Sequence, residues 1–457
     1  MKKIYLSIAL LAAFNSTIAQ QKSPAPQTLN YKADLKATGT SEDKTKRIDS
    51  LLQSFIDQKK ASSIVGFVAK GGNVVYNKAF GYKDVENKVP AAVDDYYILF
   101  SQTKAVTTVA FMTLVEKGLV SVDDPVSKYF PEISDKVATA IKEDGTFETR
   151  PVKTPMTFAH LMSHSSGISA GLVGKARRAE MEKKSAAATS GATPPAGPGQ
   201  RTGGAGTSKY LKDEMIALAR YPLGFDPGSE WSYHISTNML AYMVELISGK
   251  SLREYVKSTV LDPLGMTETD WYYEPSKMSR FVKAYSDIDG KLVPESNKYS
   301  ETTISTEQTY AEGAIGLNGP IGDFAKFCQM LLNKGEYNGK RILKPETIDL
   351  MTKVNRLPEV NSGGKGFQFG LGFELYNAEK KPVPEVSNTA FAWGGLYGTD
   401  YIIDPENNMI VLFYLNMPKH EPMYKPFLSK AYQLFKSLRK NYFGEPVCFR
   451  FFRCLSE

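Results

Sequence analysis

Apolar residues recur at helical spacing along several stretches of the chain. Arg47–Lys59 carries Ile48, Leu51, Leu52, Phe55 and Ile56 in this pattern. Phe100–Lys117 carries Val106, Val109, Ala110 and Leu114, and Gly118 suits a helix stop. Tyr210–Arg220, Asn238 to Ile247, Leu252–Val260, Phe324–Leu332 and Lys425–Leu438 read as further helices. Two pairs of short apolar runs read differently. Ile64–Ala69 and Val74–Phe80 flank Gly71-Gly72-Asn73, and Tyr401–Ile403 and Met409–Leu415 flank Asp404-Pro405-Glu406-Asn407-Asn408. Each pair predicts a β-hairpin, and Phe367–Phe373 is one more candidate strand.

The hairpins lie near opposite ends of the sequence. The economical arrangement is one antiparallel sheet built from both ends, with helices on its faces and a mostly helical lobe inserted between: an α+β fold. An α/β lobe then takes about residues 45–110 and 300–440, and helices and loops fill about 111–299. Residues 20–44 read as a linker. The stretch 171–209 is rich in Ala, Gly, Ser, Thr and Pro and predicts a mobile insertion, either a tolerated surface loop or a flap beside a substrate entrance.

Composition narrows the class. The chain has 457 residues, 42% hydrophobic and 23% charged, as a folded globular protein has. The net charge of +7 is spread along the chain with no aromatic-interleaved basic stripe, so nucleic acid is not an expected partner. Met1–Ala19 has the form of a secretory signal: Lys2 and Lys3, the apolar run Ile4–Phe14, then Thr17-Ile18-Ala19. The expectation is an exported protein, periplasmic or secreted, with no stable membrane insertion. Cys328 lies in an apolar helical stretch and reads as core. Cys448 and Cys454, in the tail 441–457, could pair in an oxidising compartment. Nothing indicates an oligomeric state.

The chemistry centres on Ser101 and Lys104, three residues apart and so on one face at the start of a helix. An amine beside a hydroxyl at the positive end of a helix can make the alcohol nucleophilic. Other chemistries lack their residues. Ser165 has Gly167 after it but Ser163 before it, so no Gly-x-Ser-x-Gly elbow forms. His160 and His164 are spaced as zinc ligands on a helix, but Leu161 stands where a zincin has its Glu. No metal or other cofactor is expected.

Three segments follow one another in a telling order: Ser101-Gln102-Thr103-Lys104, Tyr233 within Trp231-Ser232-Tyr233-His234-Ile235-Ser236, and Trp393-Gly394-Gly395-Leu396-Tyr397-Gly398. With Leu161–Gly167, Leu261–Met266 and Gly316-Leu317, they resemble the serine β-lactamase and penicillin-recognising hydrolase superfamily. Within it, the likeness is to the class C-related carboxylesterase branch. It extends from about Ile48 to Leu438. The resemblance implies a β-lactamase-like (DD-peptidase) fold and a catalytic domain over 45–440. It implies Ser101 as acylated nucleophile, with Lys104 and Tyr233 as acid/base groups. The backbone N–H groups of Ser101 and Leu396 would form the oxyanion hole. Substrate would lie against Trp393, Gly394, Gly395 and Tyr397, the glycines permitting close backbone approach.

Two positions depart from the β-lactamases of that superfamily. Trp393 stands where they carry the Lys of Lys-Thr-Gly. Tyr233-His234-Ile235 replaces Tyr-x-Asn. Both changes resemble the esterase branch and imply a small-molecule ester with a neutral or apolar acyl group. Alternatives within the class are an amide substrate, as for a D-amino-acid or cell-wall peptidase, and weak β-lactamase activity. A binding module without catalysis would have had no reason to keep Ser101, Lys104 and Tyr233 together.

Overall fold

The computed structural model describes residues 28–189, 210–295, 309–418 and 420–436. The expected signal sequence 1–19, the first part of the expected linker, the tail 441–457, Cys448 and Cys454 lie outside them. Eight strands form the main sheet: β1 (Ser63–Lys70), β2 (Asn73–Asp84), β3 (Val89–Pro90), β4 (Gln368–Phe369), β5 (Glu374–Leu375), β6 (Phe391–Gly395), β7 (Thr399–Asp404) and β8 (Met409–Tyr414). Their order is β4-β5-β6-β7-β8-β1-β2-β3, antiparallel throughout. The two expected hairpins are the pairs β1/β2 and β7/β8. The pairing of β1 with β8, Val65 opposite Tyr414 and Lys70 opposite Met409, joins the two ends of the chain into the one sheet foreseen from the sequence.

Alternation along the strands sends side chains to two different cores. Val65, Phe67, Tyr401, Ile403, Leu412 and Tyr414 belong to the core that holds helix α2 (Gln102–Glu116). Ile64, Val68, Ile402, Val411 and Phe413 belong to the core behind the sheet, with Ile48, Leu52 and Phe55 of α1 (Glu42–Asp57) and Phe427 and Leu428 of the closing helix Glu421–Gln433. With both faces covered, β1 and β8 are buried almost end to end and read as continuous apolar runs.

Helix α2 differs from the one-faced helix that its spacing suggests. Every residue from Gln102 to Leu114 is buried, including Thr103, Lys104, Thr107, Thr108 and Thr113. It is the central helix, packed between the sheet and α3 (Ser236–Ser248).

Several expectations are corrected. The stretch 171–209 is not irregular from its start: Gly171–Thr189 is helical, as its Ala, Lys, Arg and Glu residues favour, and Val173 is fully buried. The rest of that stretch to residue 209 lies outside the described residues. The intervening lobe is not only helices and loops. It contains the hairpins Lys136–Ile141/Phe147–Pro151 and Tyr285–Ile288/Lys291–Pro294. Asp144 bonds the N–H and hydroxyl of Thr146 in the first of these turns, chemistry that the apolar-run reading passes over. Of Phe367–Phe373 only Gln368–Phe369 is strand, because the chain turns back at Gly370–Gly372 to pair Phe369 with Glu374 of the next strand. Cys328 is buried core within α4 (Ile321–Leu332), and burial pushes its thiol well above the usual range. Among the described residues no helix is long and apolar enough to cross a membrane.

Candidate active site

The chain enters α2 through a sharp turn. Phe100, between the extended pair Tyr97–Ile98 and the helix, has φ +44°, the left-handed region that a phenylalanine rarely occupies. Its ring is buried against Tyr397, with centroids 4.7 Å apart, and this packing holds the conformation. The turn leaves Ser101 part-buried at the N-cap of α2. The side chain of Lys104, one turn on, is 4% exposed, with Nζ 3.1 Å from Ser101 Oγ. Nζ also donates to the carbonyl of Ala314 at 2.9 Å and lies 4.7 Å from the ring centroid of Tyr233. A buried amine thus meets three electron-rich partners, as its burial requires.

Tyr233 reaches this group from a loop ahead of α3. Its ring is set by aromatic neighbours: Trp231 stacks on it at 5.9 Å, His164 meets it edge-on at 4.6 Å and Trp393 lies 5.0 Å away. The indole Nε1 of Trp393 donates to the Tyr233 hydroxyl at 3.0 Å. Phe369 backs both His164 and Trp393, and Phe367 backs Trp231. Trp231, Tyr233 and Trp393 remain part-exposed, while Phe367 and Phe369 are buried beneath them.

Beneath Tyr233 lies the turn Ser163-His164-Ser165-Ser166-Gly167. Ser166 Oγ bonds Ser236 Oγ at the start of α3 (2.8 Å), Ser163 Oγ bonds Ser165 Oγ (2.8 Å), and the N–H of Ser232 donates to the His164 carbonyl (2.8 Å). His164 is 2% exposed. Burial first, and Lys104 second, hold its imidazole far below the usual histidine range, so it is neutral. The turn is a platform for the Trp231–Tyr233 segment.

The third motif closes the site from the sheet. Its glycines are required by internal packing. A Cβ on Gly395 would lie 2.5 Å from the Leu99 carbonyl oxygen and 2.0 Å from Thr399 Oγ1, and one on Gly394 would lie 2.0 Å from Asp400 Oδ1. Only a bare backbone brings β6 this close to the entry of α2. Gln102 ties α2 to the next two strands, β7 and β8: its amide donates to the Thr399 carbonyl (2.7 Å) and accepts from the Tyr414 hydroxyl (2.5 Å). Leu396 follows, half exposed. Among the described residues, no protein acceptor takes the backbone N–H of Ser101 or of Leu396. Tyr397, expected as an aromatic wall, is buried at 2% exposure, bonded to Glu295 and packed under Phe100. It supports the Leu396 turn from behind.

The sequence reading passed over Trp231, Phe367, Phe369, His164 as a neighbour of Tyr233, and the carbonyl of Ala314. Phe367 and Phe369 carried a signal, two aromatics sharing one face of a strand candidate. Ala314 carried none, since its contribution is a backbone oxygen. Among the described residues, no group of three or more His, Cys, Asp or Glu side chains could hold a metal ion.

This sheet topology, with Ser-x-x-Lys opening a buried central helix, is a β-lactamase-like fold. The family model described as Beta-lactamase matches residues 48–427, and the chain belongs to that family. It is similar to Esterase EstB of Burkholderia gladioli, 26% identical over 391 residues, which cover 81% of this chain and 90% of that protein. It is similar to Lovastatin esterase of Penicillium rubens, 28% identical over 400 residues, covering 79% and 90%. Among solved structures, that of "EstCE1, a hydrolase with promiscuous acyltransferase activity" shares the fold at a TM-score of 0.68 and 23% identity, covering 86% of this chain and 98% of that one.

Proposed function

We propose that this chain hydrolyses carboxylic esters of neutral, apolar acids through an acyl-enzyme on Ser101. Ser101 Oγ attacks the ester carbonyl and the new C–O bond forms. Lys104 and Tyr233 take the serine proton and deliver it to the departing alkoxide as the old C–O bond breaks. The N–H groups of Ser101 and Leu396 hold the oxyanion, favoured further by the N-terminus of α2. Water then attacks the acyl carbon, the bond from that carbon to Ser101 Oγ breaks to release the acid, and the water proton passes to Ser101 Oγ by the same two groups.

The observation that carries the ester reading is the Trp393 indole donating to the Tyr233 hydroxyl at 3.0 Å. A neutral donor here stabilises a developing phenolate without adding a cation to the pocket. The exposed faces of Trp231, Tyr233 and Trp393 offer an apolar surface to the acyl chain. The names of EstB and of lovastatin esterase agree with an ester substrate. Export rests on Met1–Ala19, whose pattern is that of a cleaved signal.

The test is intact-protein mass spectrometry after brief mixing with an activated short-chain ester and, separately, with a β-lactam. Ester turnover by the parent, its loss in Ser101→Ala, and a β-lactam that is slow or trapped as an adduct are the expected results. Rapid β-lactam turnover would overturn the ester assignment. Turnover of D-amino-acid peptides without esters would move the reading to a peptidase.

A further inference from the structure

The segment Ala311–Leu317 runs through the interior as a strap between α2 and α3. Its fixings are numerous for so short a stretch. Thr107 of α2 donates its hydroxyl proton to the Gly313 carbonyl (2.8 Å), and the Leu317 N–H donates to Thr103 Oγ1 (3.1 Å). Trp271 Nε1 donates to the Glu312 carbonyl (2.9 Å). A Cβ on Gly313 would lie 2.4 Å from the Ala241 Cβ, so the strap presses on α3 as closely as backbone can. At its centre is the Ala314 carbonyl that accepts from Lys104.

Asn238, in the first turn of α3, holds that centre. It is 1% exposed. Its Oδ1 accepts from the Ala314 N–H at 2.8 Å, and its Nδ2 donates to Glu312 Oε1 at 3.2 Å. The peptide unit that carries the Ala314 N–H is adjacent to the carbonyl that receives Lys104. The two units meet at the Ala314 Cα, and the bonds at Gly313 and Leu317 restrict rotation on either side of it, so moving one moves the other. A side chain that fixes a partner of a reactive group acts on that group at one remove, and small displacements there have large kinetic effects.

We infer that Asn238 is a positioning residue for Lys104, acting through the Ala314 peptide, with Glu312 as the acceptor that fixes its amide. The inference rests on the reading of Ser101 as nucleophile activated by Lys104.

The test is the rate at which a fluorophosphonate probe labels Ser101, which needs no knowledge of the natural ester. Asn238→Leu removes both bonds and leaves the Ala314 N–H without its acceptor. Its labelling falls at least about tenfold, with the probe concentration at half-maximal rate nearly unchanged. Asn238→Asp keeps the acceptor but sets two carboxylates against each other, and labels slowly too. Adding Glu312→Gln to Asn238→Asp restores a donor opposite the new carboxylate. This double variant labels at least about fivefold faster than Asn238→Asp alone, because a reciprocal swap rebuilds the pair. The pH profile of labelling shifts in Asn238→Asp and returns in the double variant. Lost packing would lower the plateau and move no limb. Should Asn238→Leu fail to fold, Thr107→Val loosens the same strap from α2 and slows labelling in the same way. Parent-like rates in folded Asn238→Leu and Asn238→Asp, or no recovery in the swap, overturn the inference while the nucleophile reading stands. A parent chain that does not label overturns both.

Discussion

The two flanks of Ser101 are built by different physics. On the Lys104 side the groups near the reactive amine are held mainly by directional bonds: Lys104 to Ala314, Ala314 to Asn238, Gly313 to Thr107. On the Tyr233 side, apart from the bond from Trp393, the ring is held by aromatic contacts with Trp231, His164 and Trp393. Hydrogen bonds fix a point, whereas stacked rings fix a plane and permit sliding within it. The first flank suits a group whose nitrogen must stay beside one oxygen. The second suits a surface that must also receive acyl chains of differing shape.

The comparison is tested hardest at Lys104 itself. Lys104→Ala removes the only amine beside Ser101 Oγ among the described contacts. The expected loss in kcat is about a thousandfold or more, with KM changed little, because the interaction is realised in the transition state. A steady-state series with one ester measures it. A loss seen mainly in KM would make Lys104 a substrate-binding residue and dissolve the contrast.

Next in size is Trp393→Phe. It keeps a ring against Tyr233 and Phe369 but deletes the indole donor. Losing one neutral donor to a charge-developing oxygen lowers kcat about tenfold to a hundredfold. Equal kcat in the two enzymes would mean that the Tyr233 flank works by packing alone. Trp231→Ala is the converse experiment on the same flank. Among the described residues the Trp231 side chain makes ring contacts with Tyr233 and Phe367 and no bond to a reactive oxygen. The expectation is a rise in KM of about three- to tenfold for long-chain esters, little change for acetate esters, and kcat nearly constant.

How much of each flank was legible in the sequence follows the same division. Ser101 and Lys104 were visible because helical geometry sets residues three apart on one face wherever the helix lies. The sheet joined from both ends was visible because hairpins announce themselves by apolar runs around turns. The partners were not. Ala314 stands 210 residues from Lys104 and offers a backbone oxygen that any residue would supply. Trp393 was singled out, but its bond to Tyr233 spans 160 residues and needs the fold to be known. Tyr397 was read as a substrate wall since it lies in the right motif, yet register and the Phe100 turn bury it. Gly394 and Gly395 were read as sites of close backbone approach to substrate, and the close protein neighbours Asp400, Thr399 and Leu99 could not be read from the motif. Motifs report which residues gather at a site and are silent on which way each one faces.

The smallest expected effect lies behind the Tyr233 flank, where the platform under His164 meets the rest of the lobe. A Cβ on Gly167 would lie 2.5 Å from the Phe225 carbonyl, so the platform rests on the loop that contains Asp226. Asp226 accepts two bonds from Arg150 of the neighbouring hairpin, at 2.9 and 2.7 Å, and one from the Lys153 N–H at 2.9 Å. Arg150 foremost holds the Asp226 carboxyl at about 2, below its ordinary 3.8. The folded state thus binds this proton more weakly than the unfolded chain does. The stabilisation is complete above pH 3.8 and is lost as pH falls through about 2. Asp226→Asn should lower Tm by a constant small amount from neutral pH down to about pH 5. The gap to the parent should then narrow as pH drops toward about 3, since the parent loses what the variant never had. Because Arg150 is 41% exposed in its side chain, added salt should shrink the gap as well. A gap independent of both pH and salt would mean that Asp226 acts by shape and hydrogen-bond count, as the Lys104 flank does, and not by charge.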